Sequence, residues 1–132
     1  DDSGELLAKM LGAISIDSSQ VYLANIIPFY LTKEEGKNIK KYNSLLKKIV
    51  HEHISAINPE TILLLGSFAL QTLFGEEYSI AKNRGQWLSY SAANNSINII
   101  PSFHPTFLLK QPSQKKKSWE DLQELQKKLN NA

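Results

Sequence analysis

A chain of 132 residues has the length of one ordinary domain, and a composition of 42% hydrophobic and 21% charged residues is globular rather than disordered. It contains no cysteine, which excludes disulfides, thiolate nucleophiles and cysteine-held clusters within these residues. No apolar run is long enough for a membrane-crossing helix, and a net charge of +2 is too small to name a nucleic-acid partner by itself.

In chain order, Asp2 caps a first helix with Glu5 as its capping-box partner, and Leu6, Leu7, Met10, Leu11 and Ile14 recur at helical spacing. Residues 21–27 are a nearly continuous apolar run stopped by Pro28, the pattern of a strand buried on both faces. After a polar loop with Gly36, apolar positions from Ile39 through Leu46, Val50 and Ile54 to Ile57 define a long amphipathic helix that Pro59 ends. Residues 61–65 form a second buried strand. Gly66 and Ser67 turn the chain into a short helix, 68–74, closed by Gly75. Residues 87–90 and 97–100 are strands on either side of an Asn94-Asn95 turn. Residues 101–105 break regular structure, and a last helix starts at about Ser118 as N-cap and runs through Trp119, Leu122, Leu125 and Leu129. This alternation predicts an α/β fold with a mostly parallel sheet.

Charge clusters in two places. Lys33, Lys37, Lys40, Lys41, Lys47 and Lys48 face only Glu34 and Glu35, as on a solvated helix face. Lys110, Lys115, Lys116 and Lys117 have no acid between them and follow a histidine at a strand end. Three polar segments end apolar strands: Asn25, Gly66-Ser67, and the stretch from Ser102 to Thr106. If the strands are parallel, all three share one sheet edge, where open α/β sheets bind ligands. Asn25, an amide inside an apolar run, either ties down a loop or reads the edge of a flat polar ligand such as a nucleobase. His104 stands between Phe103 and Pro105 and can donate a hydrogen bond to an oxygen that gains charge in a transition state. His51 and His53 read as structural residues of the long helix.

At these residues the chain resembles the uracil-DNA glycosylase superfamily, most closely its family 4-like bacterial branch. The stretches that carry the resemblance are Gly4-Glu5-Leu6-Leu7-Ala8-Lys9-Met10-Leu11, Val21-Tyr22-Leu23-Ala24-Asn25-Ile26-Ile27-Pro28, Leu64-Leu65-Gly66-Ser67-Phe68-Ala69, Arg84-Gly85-Gln86-Trp87 and Phe103-His104-Pro105-Thr106-Phe107-Leu108-Leu109-Lys110-Gln111-Pro112. The His-Pro-Thr-x-Leu-Leu segment, followed by lysines and a Trp-Glu-Asp-Leu helix, is the most specific. The resemblance implies a three-layer α/β/α fold around a short, mostly parallel sheet, and excision of uracil from DNA by base flipping and N-glycosidic bond hydrolysis. It assigns uracil reading to Asn25 and leaving-group stabilisation, the catalytic role, to His104. Thr106 stands where the family has a serine near a DNA phosphate. Phe107 to Gln111 fall in the loop that enters the duplex, with Phe107, Leu108 and Lys110 as its DNA-contacting residues, and Gly66 and Ser67 in a turn that approaches the DNA backbone. Lys115, Lys116 and Lys117 complete the expected DNA-contacting set.

The sequence also departs from the family. A first motif, Gly-Glu-x-Pro-Gly followed by Pro-Phe-x-Gly, would lie just before Ser3-Gly4. It supplies a water-activating residue, backbone donors for the uracil, a stacking aromatic and a central strand. Residues 1–132 therefore read as a single, N-terminally truncated domain, inactive by itself. Family 4 members hold an iron–sulfur cluster with four cysteines, and this chain has none. His51 and His53, two apart on a helix, cannot chelate together. The expectation is a protein with no metal or cofactor, a cytoplasmic monomer that binds uracil-containing DNA and no membrane, acting in base excision repair. Two other readings stay open: a non-catalytic DNA-binding remnant of the same fold, and a small α/β protein that binds a nucleotide or another polar ligand.

Overall fold

A computed structural model of the chain describes residues 5, 6, 9, 22–24, 43–92 and 94–130, the side chains of 22–24 and 43–46 apart. Glu5, Leu6 and Lys9 are helical, in keeping with the expected first helix. The elements that follow are β1 (Tyr22–Ala24), α1 (Asn43–Ile57), β2 (Thr61–Leu65), α2 (Ser67–Phe74), α3 (Ile80–Asn83), β3 (Leu88–Ala92), β4 (Asn95–Ser102), α4 (Pro105–Lys110), a 3-10 turn (Pro112–Gln114) and α5 (Lys115–Asn130). The helix expected from Ile39 is described from Asn43 onward.

The strands form one sheet in the order β1-β2-β4-β3. β1, β2 and β4 run parallel, and β3 joins antiparallel as the hairpin partner of β4. The sheet is thus mostly parallel, as expected. β2 is buried along its whole length, and its alternating side chains feed two cores. Ile62 and Leu64 pack with Ile54 of α1, Ala69, Leu70 and Leu73 of α2, Ile80 of α3 and Ile97 and Ile99 of β4. Leu63 and Leu65 pack on the other face with Ile100, Leu122 and Leu125, the last two from α5. Helices therefore cover both faces, which gives three layers.

Four local expectations are corrected. β4 does not stop at Ile100 but runs through Pro101 to Ser102. Proline is ordinarily excluded from a central strand because it lacks a ladder donor. Here β3 begins at Leu88, opposite Ile99, so its ladder does not reach Pro101. The Pro101 carbonyl points to that side and accepts the Gly85 N–H at 2.9 Å, so the missing donor costs no ladder bond. Next, residues 105–110 are a helical turn, with Pro105 pre-set for its first position. The three lysines open α5 instead of lying in a loop. Finally, Ser118 is not its cap; it is 1% exposed, inside the helix. α3, capped by the Ser79 hydroxyl, has no counterpart among the elements the sequence predicts.

Candidate active site at the carboxyl edge of the sheet

Because β2 and β4 are parallel and in register, with Leu65 opposite Ser102, their carboxyl ends lie side by side. The Gly66 N–H donates to the Ser102 carbonyl at 3.0 Å and ties the two ends together. Gly66 has φ 95 and leads into α2. A Cβ there would stand 3.4 Å from His104 Cβ, so the turn after β2 lies directly against the histidine. Ser67 is exposed beside it. Asn25 follows β1 in the chain and lies outside the described residues.

His104 is half-buried at the junction of β4 and α4. Its Nδ1 accepts the Thr106 N–H at 3.1 Å and so caps the helix. A backbone N–H can only donate, so Nδ1 must be unprotonated and the neutral ring carries its proton on Nε2. Burial pushes the His104 pKa below its ordinary value. Protonation at Nδ1 would also remove the cap acceptor. The site thus holds a neutral imidazole whose Nε2–H is the donor.

The other residues expected to meet DNA separate by exposure. Thr106 and Lys110 are exposed, and Phe107 is 40% exposed while stacked on Phe103 with ring centroids 4.8 Å apart. Leu109, inside the expected loop but not among its expected DNA contacts, is 42% exposed, whereas Leu108 is 1% exposed and anchors the turn inward. The apolar surface of α4 therefore belongs to Phe107 and Leu109, and Leu108 has no face to offer a partner. Lys115, Lys116 and Lys117 are exposed on the first turn of α5.

Sequence reading gives Arg84 and Asp121 no role, and the structure joins them. Asp121, 1% exposed, accepts from the Arg84 guanidinium at 2.8 Å and from the Ser102 hydroxyl at 2.6 Å. Burial raises its pKa, and the bond from Ser102 and the charge of Arg84 pull it back. Gly85 has φ 73, and a Cβ there would stand 2.6 Å from Asp121 Oδ1. Trp87 Nε1 donates to Glu124 at 3.3 Å. The Arg-Gly-x-Trp segment is therefore a docking surface for α5. A sequence cue existed in that motif and in the Trp-Glu-Asp-Leu run, but nothing in either pairs one with the other.

Among the described residues no group of three or more histidine, cysteine, aspartate or glutamate side chains could hold a metal ion. His51 instead hydrogen-bonds the Tyr90 hydroxyl at 2.6 Å. No described helix is long and apolar enough to cross a membrane.

The family model of the uracil DNA glycosylase superfamily matches residues 1–123. The chain belongs to this superfamily. Two relatives are type-4 uracil-DNA glycosylases. The one from Archaeoglobus fulgidus is 25% identical over 114 residues, covering 83% of this chain and 57% of the relative. The one from Thermotoga maritima is 30% identical over 116 residues, covering 84% and 56%. The chain thus spans a little over half the length of the relatives it matches. The superfamily's type-4 branch implies an iron–sulfur cluster ligated by cysteine, and the absence of cysteine from these 132 residues means that they do not fit one.

Proposed function

We propose that these residues form the base-releasing side of a uracil-DNA glycosylase site. The observation that carries the reading is the neutral His104, fixed as an Nε2–H donor at the carboxyl edge of the sheet. Hydrolysis of the N-glycosidic bond sends the bonding electrons into the departing uracil, whose carbonyl oxygens gain negative charge while the sugar carbon gains positive charge. A neutral donor stabilises that anion without giving up its proton. An imidazolium would carry the charge but, in this geometry, would lose the cap that aims it. One such bond in a dry site is worth about 2.7–4 kcal/mol in the transition state.

The other roles follow from position. Asn25 reads the polar edge of the flipped base, as the resemblance assigns. Gly66, Ser67 and Thr106 lie around His104 where backbone and hydroxyl donors meet DNA phosphates. Phe107 and Leu109, the exposed apolar side chains of α4, fill the space that the flipped base vacates. Lys110, Lys115, Lys116 and Lys117 supply charge to the backbone beyond.

The test is uracil release by the native gene product. His104→Ala is expected to lower the single-turnover rate about 10²–10³-fold with DNA affinity little changed. Salt-dependent DNA binding without excision in either protein would favour the non-catalytic reading. Excision unaffected by His104→Ala would overturn the assignment.

A further inference from the structure

We propose that Asp121 is a positioning residue for His104, acting through Ser102, and that Arg84 and Gly85 seat its carboxylate for that task. The inference rests on reading His104 as the leaving-group donor.

The carboxyl end of β4 overhangs the sheet. β3 accompanies β4 only as far as Ile99, so among the described residues Ile100, Pro101 and Ser102 have no strand neighbour on that side. Main-chain bonds to β2 hold the other side, the last of them from Gly66 N–H to the Ser102 carbonyl. Two other bonds hold the overhang, one at its open side and one on the face that α5 covers. Gly85 N–H donates to the Pro101 carbonyl at 2.9 Å, and Asp121 Oδ2 accepts the Ser102 hydroxyl at 2.6 Å. One residue, Phe103, separates Ser102 from His104. The ring orientation of His104 therefore depends on a short path from α5 through Asp121 and Ser102.

The carboxylate is costly where it lies. It is 1% exposed, next to Leu122, and an apolar residue would be the simpler choice for stability alone. The surroundings are shaped around it. Arg84 engages Oδ1, and Gly85 leaves the space that any Cβ would take from that oxygen. The Arg84 guanidinium, the bare Cα of Gly85 and the buried Asp121 carboxylate, besides docking α5, converge on one bond to the strand end that leads into His104.

Ser102→Ala, Asp121→Asn and Ser118→Ala in the native gene product test this. Ser118 is as buried as Asp121, and its hydroxyl makes a longer hydrogen bond of 3.4 Å to the same Ser102 hydroxyl, so its removal is the graded comparison for the short bond to Asp121. Ring-nitrogen NMR reports whether His104 Nδ1 remains a pure acceptor. Ser102→Ala and Asp121→Asn are expected to shift that signal toward a mixture of tautomers and to slow uracil release about ten- to a hundredfold, with DNA affinity within about twofold. Ser118→Ala, which removes only the longer bond, is expected to do both to a clearly smaller degree. If Asp121→Asn does not fold, Ser102→Ala decides. An unchanged His104 spectrum in folded Ser102→Ala, or an equal shift in Ser118→Ala, would overturn the proposal. A spectral shift in a protein that releases no uracil would uphold positioning and defeat the glycosylase reading. Intact excision with an unchanged ring would do the reverse.

Discussion

At the scale of single residues, two glycines beside the site share a positive φ but face different neighbours. At Gly66 a Cβ would meet His104 at ordinary van der Waals distance, so Gly66→Ala bears only the backbone strain, about 1–3 kcal/mol. At Gly85 the same atom would displace the Asp121 carboxylate and break its pair with Arg84, so Gly85→Ala is expected to cost about 3–5 kcal/mol. Urea unfolding compares the two, and equal losses would show that the carboxylate is not tightly seated. His104 carries a pH prediction of definite sign. Its folded pKa lies below the ordinary 6.5, so the unfolded chain binds the proton more readily. The stability it contributes is present above that ordinary value and is lost as pH falls through the folded one. The proposed role of His104 as a neutral donor predicts excision that persists below pH 6.5, with its acid limb at the lowered pKa. An acid limb at or above the ordinary value, followed alongside the ring-nitrogen titration, would count against the neutral-donor role.

At the scale of elements, α5 begins with Lys115, Lys116 and Lys117, at the end of a helix where the macrodipole disfavours cations, and has no acidic residue in its first turn. Fold stability gains nothing from that placement. Replacing all three with alanine is expected to leave the melting temperature unchanged or raised. The same change should reduce the log–log salt slope of DNA binding by about one for each phosphate that the lysines no longer neutralise. An unaltered slope would make the lysines a solvated turn. Which elements the sequence reveals follows the same physics. β2 and α2 are legible because an apolar run and a closing glycine are local signals. α4 is not, because its cap is a histidine, an uncommon cap that only the fold identifies. The start of α5 is hidden by lysines that run against the dipole. β4 reads as ending before Pro101 because the sequence does not tell on which side the missing N–H falls. In the run Phe107, Leu108, Leu109, composition cannot say which side chain turns inward. The Arg84–Asp121 pair, 37 residues apart, is a tertiary fact. The shared edge of Gly66 and His104 is legible, since parallel strands require it.

At the scale of the whole molecule, the two cores meet on β2 and β4, whose interior side chains are fully buried on both faces. Burial on both faces makes these strands the last part to open, and their amides should exchange with solvent only through global unfolding. α4 lies at the other extreme. Of its six residues only Pro105 and Leu108 are buried, and it is less than two turns long. Its amides should therefore exchange through a local opening that leaves β2 and β4 closed, faster by orders of magnitude. The boundary between these regimes is expected at His104, because Ser102 is held by Asp121 and by Gly66 while the next turn hangs from Leu108. Such a division would suit the proposed base excision: the proposed leaving-group donor would stay registered on the rigid sheet while Phe107 and Leu109 follow the DNA. Hydrogen exchange on the native gene product measures it. Slow exchange at Gly66, fast exchange across residues 106–110, and slowing of the latter when uracil-containing DNA binds are the expected pattern. Amides of α4 as protected as those of β2 would mean that the turn is part of the rigid core and that its exposed side chains do not follow the duplex.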